Sequence, residues 1–348
     1  MSGTPIRIGI IGAGGIVKQR HLPGFRDIAD CEVVAVHNRR RENAEAVAKE
    51  WNIPNVVDSP EALYGRGDID AVLIGTTPYL HRDLTVAALD AGKHVFCQAR
   101  MARDVAEARD MLAAAEKRKD LVTMLCPPPH VMPGEQWVRQ LLDAGELGEL
   151  RLVRMHHLTA GWLDPAVPMH WRASREVSGY QTLTLGIYNE ILNRWVGPAR
   201  TVSAAGKVFT PERRNAETGE MEKVLIPETA AVTGELENGA HYAYTFSGVA
   251  PFGAGDAIEI YGTQGALFYD VAKQEIRVGK LGQGDQAALV AIPEELRGSW
   301  RVEADFVSAI REGTPVSPDF HEGVQYMEFV EAVGRSIEEG RTITLPLP

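Results

Sequence analysis

Ile6-Arg7-Ile8-Gly9-Ile10-Ile11-Gly12-Ala13-Gly14-Gly15 is the stretch whose reading decides the fold. Residues 6–11 form an apolar run broken only by Arg7 and Gly9, which suits a strand buried on both faces. Three glycines in four positions follow, and a helical stretch runs on through Arg20. A strand, a glycine turn and a helix in that order make an anion site. The glycines let the backbone approach a pyrophosphate, and the helix N-terminus offers unpaired N–H groups and the positive end of its dipole. Gly12, Gly14, Gly15 and Ile16 are the expected contacts; Val17 stands where the usual fingerprint has its third glycine.

Downstream, apolar strands alternate with helices. Cys31 to Val36, Ile69 to Ile74, His94 to Cys97 and Leu121 to Leu125 read as strands; Asn43 to Trp51, Leu80 to Asp90 and Asp104 to Lys119 read as helices. The alternation predicts an α/β domain with a doubly wound parallel sheet of the Rossmann type. Ligands of such sheets bind at the carboxyl ends of the strands, which draws Thr76, Thr77 and Pro78 with His81, and the turn Gln98-Ala99-Arg100, into the candidate site. Asn38 ends the second strand, about 20 residues past the glycine turn, where an acidic residue would grip an adenosine ribose. The chain reads Asn38-Arg39-Arg40-Arg41 there. Guanidinium groups without a carboxylate accommodate a 2′-phosphate better than a bare diol, so NADP is slightly favoured over NAD. The competing reading is a solvated charge run that opens the next helix.

The texture changes after Pro127-Pro128-Pro129, and the expected domains are 1–126 for the dinucleotide and 127–348 for substrate and assembly. Arg151 to Thr159, Thr201 to Phe209, Val224 to Leu236, Ala240 to Ser247, Ala257 to Tyr261, Ala266 to Tyr269 and Glu275 to Gly279 are short strand-like runs joined by turn residues. They predict an α+β domain with an open, mostly antiparallel sheet. A helix over Gly179 to Trp195 interrupts it, with Leu183, Ile187, Ile191 and Trp195 on one face and Gln181, Thr184 and Tyr188 on another. Further helices near Val302 to Arg311 and Glu322 to Glu338 carry apolar stripes that dock on the body.

The chain has 348 residues, is 45% apolar and 24% charged, and carries a net charge of -11. That composition suits globular domains with ample core and favours neither nucleic acid nor an anionic membrane. Three cysteines without pairing or zinc-like spacing, no leader-like opening and no long apolar run lead to the expectation of a cytoplasmic protein acting on small molecules. His130, His156, His157 and His170 match no metal-ligand spacing, and no metal is expected.

Several further motifs in order complete a pattern: Asp70-Ala71-Val72, Ala91-Gly92-Lys93-His94-Val95, Leu147-Gly148, Trp171-Arg172, Gly186, and Asp305-Phe306 through Gly313. With the glycine turn and Thr77-Pro78, the chain resembles the Gfo/Idh/MocA family of glucose-fructose oxidoreductase and inositol dehydrogenase. The resemblance implies a nicotinamide cofactor, a sugar, cyclitol or related polyol as substrate, and a homodimer or homotetramer. It also implies a Glu-Lys-Pro turn and an Asp-x-Gly-x-His element. Here these read Gln98-Ala99-Arg100 and Thr184-Leu185-Gly186-Ile187-Tyr188.

An alanine methyl cannot relay a proton, so alcohol oxidation needs another carrier. Tyr188 is the candidate, provided that a cation lowers its pKa; Arg100 is the first choice and Lys18 the second. Arg100 or His170 would polarise the substrate oxygen. Alternatively Tyr188 is a packed core residue, and carboxylates such as Asp164 and Glu176 serve a glycoside hydrolase or lyase on the same fold. A third reading is a catalytically silent binding protein.

Overall fold

The computed structural model describes residues 4–127, 132–216 and 218–348. Pro128, Pro129 and His130 lie outside the described residues. The chain divides into two compact units, residues 1–129 with 300–324, and residues 130–299 with 325–348.

The first unit is built on a six-stranded parallel sheet of β1 (Ile6–Ile11), β2 (Cys31–His37), β3 (Asn55–Val56), β4 (Ala71–Ile74), β5 (His94–Cys97) and β6 (Thr123–Leu125), in the order β3-β2-β1-β4-β5-β6. Ile8, Ile10 and all four residues of β4 are fully buried, as a sheet covered on both faces requires. The order reverses between β1 and β4, which places the ligand crevice at their carboxyl ends. Two glycines let the loops meet there. Gly12 has φ +87°, and a Cβ on it would lie 2.9 Å from the backbone of Gly75 and Thr76; one on Gly75 would lie 2.5 Å from the Gly12 carbonyl oxygen.

The glycine turn leads into a widened, π-type turn over Val17–His21 and then the helix Leu22–Arg26. This turn carries His21 into the core, where it meets the Phe96 ring edge-on at 5.0 Å. The peptide between Ala99 and Arg100, after β5, is cis. The expected boundary at 126/127 omits residues 300–324, which return to the first unit. Their helix, Val302–Glu312, buries Phe306 against Phe96 at 5.4 Å, and the Leu125 N–H bonds the Pro318 carbonyl at 2.9 Å. An apolar stripe tells that a helix docks but not on which body.

The second unit carries nine strands in one sheet. They are β7 (Leu150–Leu158), β8 (Thr201–Lys207), β11 (Thr229–Glu235), β12 (His241–Ser247), β13 (Gly255–Gly262), β14 (Gly265–Asp270), β15 (Glu275–Lys280), β16 (Ala288–Leu289) and β17 (Ile343–Thr344); β9 (Glu212–Arg214) and β10 (Met221–Lys223) pair separately. The order is β16-β15-β14-β13-β7-β12-β11-β8-β17, antiparallel except between β7 and β12.

Two expected elements start later than their patterns suggest. The strand expected from Val224 begins at Thr229, because Pro227 has no N–H to donate and the Glu228 carboxylate is committed to the N–H groups of Phe209 and Thr210 and to Arg213. The helix expected from Gly179 runs over Leu185–Val196. Gly179 at φ +62° and Leu183 at φ +45° are not helical, and the Gln181 side-chain oxygen accepts the Gly186 N–H instead. The new start changes the buried stripe to Leu185, Tyr188, Ile191, Leu192 and Trp195, so Tyr188 lies with the core residues and not on a separate face.

No described helix is long and apolar enough to cross a membrane. Because Phe306 fixes the returning helix against β5, Phe306→Ala is expected to destabilise the first unit by about 3–5 kcal/mol, read from its urea transition. A loss below about 1 kcal/mol would show that the returning helix is not part of that core.

Candidate functional site

At the crevice of the first unit, a Cβ on Gly14 or Gly15 would meet nothing within 4 Å. The first helical bond of the turn is Lys18 N–H to Gly14 O at 3.1 Å, so the N–H groups of Gly15, Ile16 and Val17 precede it at the helix start. The Ala13 N–H donates to the Asn38 side-chain oxygen at 2.7 Å, so Asn38 tethers the glycine turn to the end of β2. Opposite, Thr77 precedes the short turn Pro78–Leu80, and the Thr76 hydroxyl is buried with no partner among the described residues. Open space over two glycines, helix-start donors and an orphaned hydroxyl fit a pyrophosphate-bearing dinucleotide. The guanidinium of Arg41 is paired with Glu45 and Asp58, and Arg39 and Arg40 stand exposed after β2.

His81 sits beneath this crevice, fully buried. Its Nδ1 lies 2.8 Å from the Arg100 carbonyl and its Nε2 3.1 Å from the Thr76 carbonyl. Burial lowers its pKa. His81 therefore lies between the turn after β4 and the turn after β5, and as a neutral ring it donates its one N–H to one of the two carbonyls.

A second buried network lies beside it. Glu303 accepts from His21 Nδ1, and also from Trp300 Nε1 at 2.9 Å. A carboxylate only accepts, so the His21 proton is on Nδ1, which leaves Nε2 to accept from the Gln98 amide. Gln98 is thereby held at the end of β5, its own N–H on the Ile74 carbonyl at 2.9 Å. Arg100 is buried at 5% exposure. Burial raises the thiol pKa of Cys97, which is no activated nucleophile.

In the second unit one carboxylate gathers two side chains. His157 on β7 and Asp256 on β13 are cross-strand partners, with His157 Nδ1 2.7 Å from Asp256 Oδ1. The Tyr188 hydroxyl donates to the other oxygen, Oδ2, and its ring lies 6.4 Å from the imidazole. Burial first, and the hydrogen bond to Asp256 second, push the phenol well above its ordinary range. The charge beside Tyr188 is thus a carboxylate, which opposes the lowered pKa that a proton-accepting tyrosine needs.

The remaining candidates are exposed. His170 is exposed, and its Nδ1 accepts the Arg172 N–H at 3.2 Å, capping a short turn. The Asp164 carboxylate accepts the Ala166 N–H at 2.8 Å at an exposed bend. Lys18 and Glu176 are exposed.

Sequence reading missed His21, Glu303, His157 and Asp256 as working groups. For the last two a signal existed: His157 continues the alternation of the buried Val153 and Met155, and Asp256 that of the buried Ile258 and Ile260, so each is a polar residue at the end of an inward-facing column.

Fold and crevice define a dinucleotide-binding enzyme class. An oxidoreductase family with an NAD-binding Rossmann fold matches residues 6–125, and the Gfo/Idh/MocA C-terminal domain matches residues 136–268. The chain belongs to the Gfo/Idh/MocA family of oxidoreductases. It is 30% identical over 345 residues to the dTDP-3,4-didehydro-2,6-dideoxy-alpha-D-glucose 3-reductase of Streptomyces antibioticus, covering 96% of this chain and 97% of that protein. It is 25% identical over 345 residues to the myo-inositol 2-dehydrogenase of Thermotoga maritima, covering 98% of each. The structure of a levoglucosan dehydrogenase with NADH and L-sorbose matches with a TM-score of 0.89 at 23% identity, over 98% of this chain and 99% of that one; it shares the fold.

The Tyr188 geometry makes a spectroscopic prediction. An unperturbed tyrosine is half ionised near pH ~10, and a raised pKa keeps the phenol protonated there. The tyrosinate absorbance of wild type and Tyr188→Phe should therefore coincide at that pH; an extra half-ionised phenol in the wild type would overturn the assignment.

Proposed function

We propose that the protein oxidises a secondary alcohol of a sugar, cyclitol or related polyol, or reduces the matching ketone, with NADP or NAD as co-substrate. The observation that carries this reading is the cradle of Gly12 to Ile16, open above Gly14 and Gly15 and faced by the unpartnered Thr76 hydroxyl. Sugar and cyclitol activities in the names of its relatives support the substrate class.

Gly12, Gly14, Gly15 and Ile16 would hold the pyrophosphate, Asn38 and Arg39 would flank the adenosine end, and Thr76, Thr77, Pro78 and Gln98 would line the approach to the reacting ring. His81 serves this site indirectly, filling the space between the turns that carry Thr76 and Arg100 and donating to one of their carbonyls. When bound, the nicotinamide supplies a two-electron acceptor or donor. The protein must hold the alcohol and move its proton, and Ala99 supplies no group for that. The carboxylates Asp164 and Glu176 are exposed, and Asp164 is spent on the Ala166 N–H of its own bend. The exposed Arg39 beside Asn38 favours NADP.

Thermal shift and fluorescence transfer with both dinucleotides, followed by an absorbance screen at the nicotinamide band against sugars and cyclitols, test the reading. Binding and turnover are expected; failure to bind either dinucleotide would sink it. Arg39→Ala should weaken NADP about tenfold, the scale of one charge-assisted hydrogen bond, and leave NAD unchanged. Equal loss for both would remove the NADP preference.

A further inference from the structure

We propose that the buried pair His21 and Glu303 are positioning residues that fix the Gln98 amide so that its Oε1 is presented, as a hydrogen-bond acceptor, to the nicotinamide half of the dinucleotide; this rests on the oxidoreductase reading above. All the groups concerned belong to the first unit. The course of the ligand follows from the strand order. The pyrophosphate would rest on the glycine turn after β1 and the adenosine end would lie toward Asn38 after β2, so the nicotinamide half would run the other way, over the ends of β4 and β5. Gln98 directly follows β5, and its N–H bonds the carbonyl of Ile74, the last residue of β4, at 2.9 Å.

A primary amide has two unlike ends, and the end that faces a ligand decides what it binds. Glu303 accepts from His21 Nδ1, so the neutral ring carries its lone pair on Nε2, and the Gln98 amide N–H donates to it. Turned over, the amide would set its oxygen against that lone pair. No water relieves such a clash, because the His21 side chain has no exposure and that of Glu303 has 2%. The Cys126 sulfur, 3.9 Å from the same nitrogen, is a weaker and more distant competitor. With Nε2 of Gln98 turned inward, Oε1 is the other arm of the amide. Among the described residues no donor bonds it, and it is not one of the buried orphaned atoms, so it keeps access to the space at the end of the strand.

The arrangement is closed from the returning segment. Glu303 lies in the first turn of the helix Val302–Glu312, and a Cβ on Gly24 would strike its carboxylate, so the glycine lets the two helices meet. The Trp300 indole donates to the same carboxylate, and the Arg20 guanidinium covers its ring at 5.6 Å. A residue 282 positions from His21 thus sets which end of Gln98 meets the ligand. The nicotinamide half offers two kinds of donor, its carboxamide N–H and its ribose hydroxyls, and an amide oxygen accepts from either.

Tautomer and affinity measurements test the two halves of this proposal. Two-bond proton–nitrogen spectra of histidine-labelled protein, with the His21 ring assigned through its contact with Phe96, should show the Nδ1–H tautomer, and Glu303→Gln should abolish that preference. A His21 ring protonated on Nε2, or one indifferent to Glu303→Gln, overturns the proposal with no ligand present. Gln98→Met keeps the length of the side chain and removes both ends of the amide. By titration calorimetry it should bind NAD and NADP about tenfold more weakly than wild type, the scale of one hydrogen bond, and bind ADP equally well. Dinucleotide affinities within about twofold of wild type, or an equal loss for ADP, overturn the proposal. Nicotinic acid adenine dinucleotide, with a carboxylate in place of the carboxamide, names the donor: the Gln98→Met loss vanishes if Oε1 accepts the carboxamide N–H and persists if it accepts a ribose hydroxyl, and either supports the acceptor. Should Glu303→Gln fail to fold, the wild-type tautomer and Gln98→Met decide. A wild type that binds neither dinucleotide defeats the oxidoreductase reading and this proposal with it; a wild type that binds them no better than Gln98→Met defeats this proposal alone.

Discussion

A carboxylate taken out of water must find donors for its two oxygens, because unpaired charge in a protein interior costs several kcal/mol. In each unit one carboxylate meets that demand with a histidine and a second donor. Glu303 takes His21 and the Trp300 indole; Asp256 takes His157 and the Tyr188 phenol. In both cases the acid dictates the histidine tautomer, since only Nδ1–H can donate to it. What differs is the other nitrogen. That of His21 is spent on the Gln98 amide, inside a side chain with no exposure, which makes a structural clamp on the end of β5. That of His157 is not spent on any described residue, at the partly exposed end of a column. One device thus yields a clamp on β5 in one unit and a strand-held histidine with one unspent ring nitrogen in the other.

The clamps explain how the first unit keeps its crevice. The glycine turn is held by Asn38, one of the Thr76 and Arg100 turns by His81, and Gln98 by His21. Each tether ends on backbone or on a buried side chain, so the loops at the sheet's carboxyl edge are fixed while the space over Gly14 and Gly15 stays open. Preorganised loops of this kind lower the ordering cost of binding a long, flexible dinucleotide.

Much of this was legible in the sequence because it is local. Strand β1, its glycine turn and the alternation that follows are runs of adjacent residues, and periodicity reports them directly. The apolar pattern of the helix that carries Tyr188 extends back to Leu183, whereas Gln181 and two residues at positive φ delay the helix to Leu185. Tyr188 is polar only at its tip, so pattern alone does not tell that its ring packs with Leu185 and Ile191 in the buried stripe. The return of residues 300–324 and the meeting of His157 with Asp256, 99 positions apart, are tertiary facts that no local period encodes. The parity of each within its strand was available; the partnership was not.

The two donors to Asp256 are held with different rigidity. A residue on the helix Leu185–Val196 is positioned by packing of one face, and at position 188 that packing now encloses an aromatic ring with no exposure, a poor setting for a group that must gain and lose charge. A residue on β7 is fixed by ladders on both sides, to β12 and to β13, and its cross-strand neighbour is the acid itself. Holding an imidazole and a carboxylate as such a pair sets their distance and orientation by backbone register, with little rotamer freedom left to lose. A strand-held histidine beside an anion is thus oriented by the sheet itself, with its Nδ1 committed to Asp256.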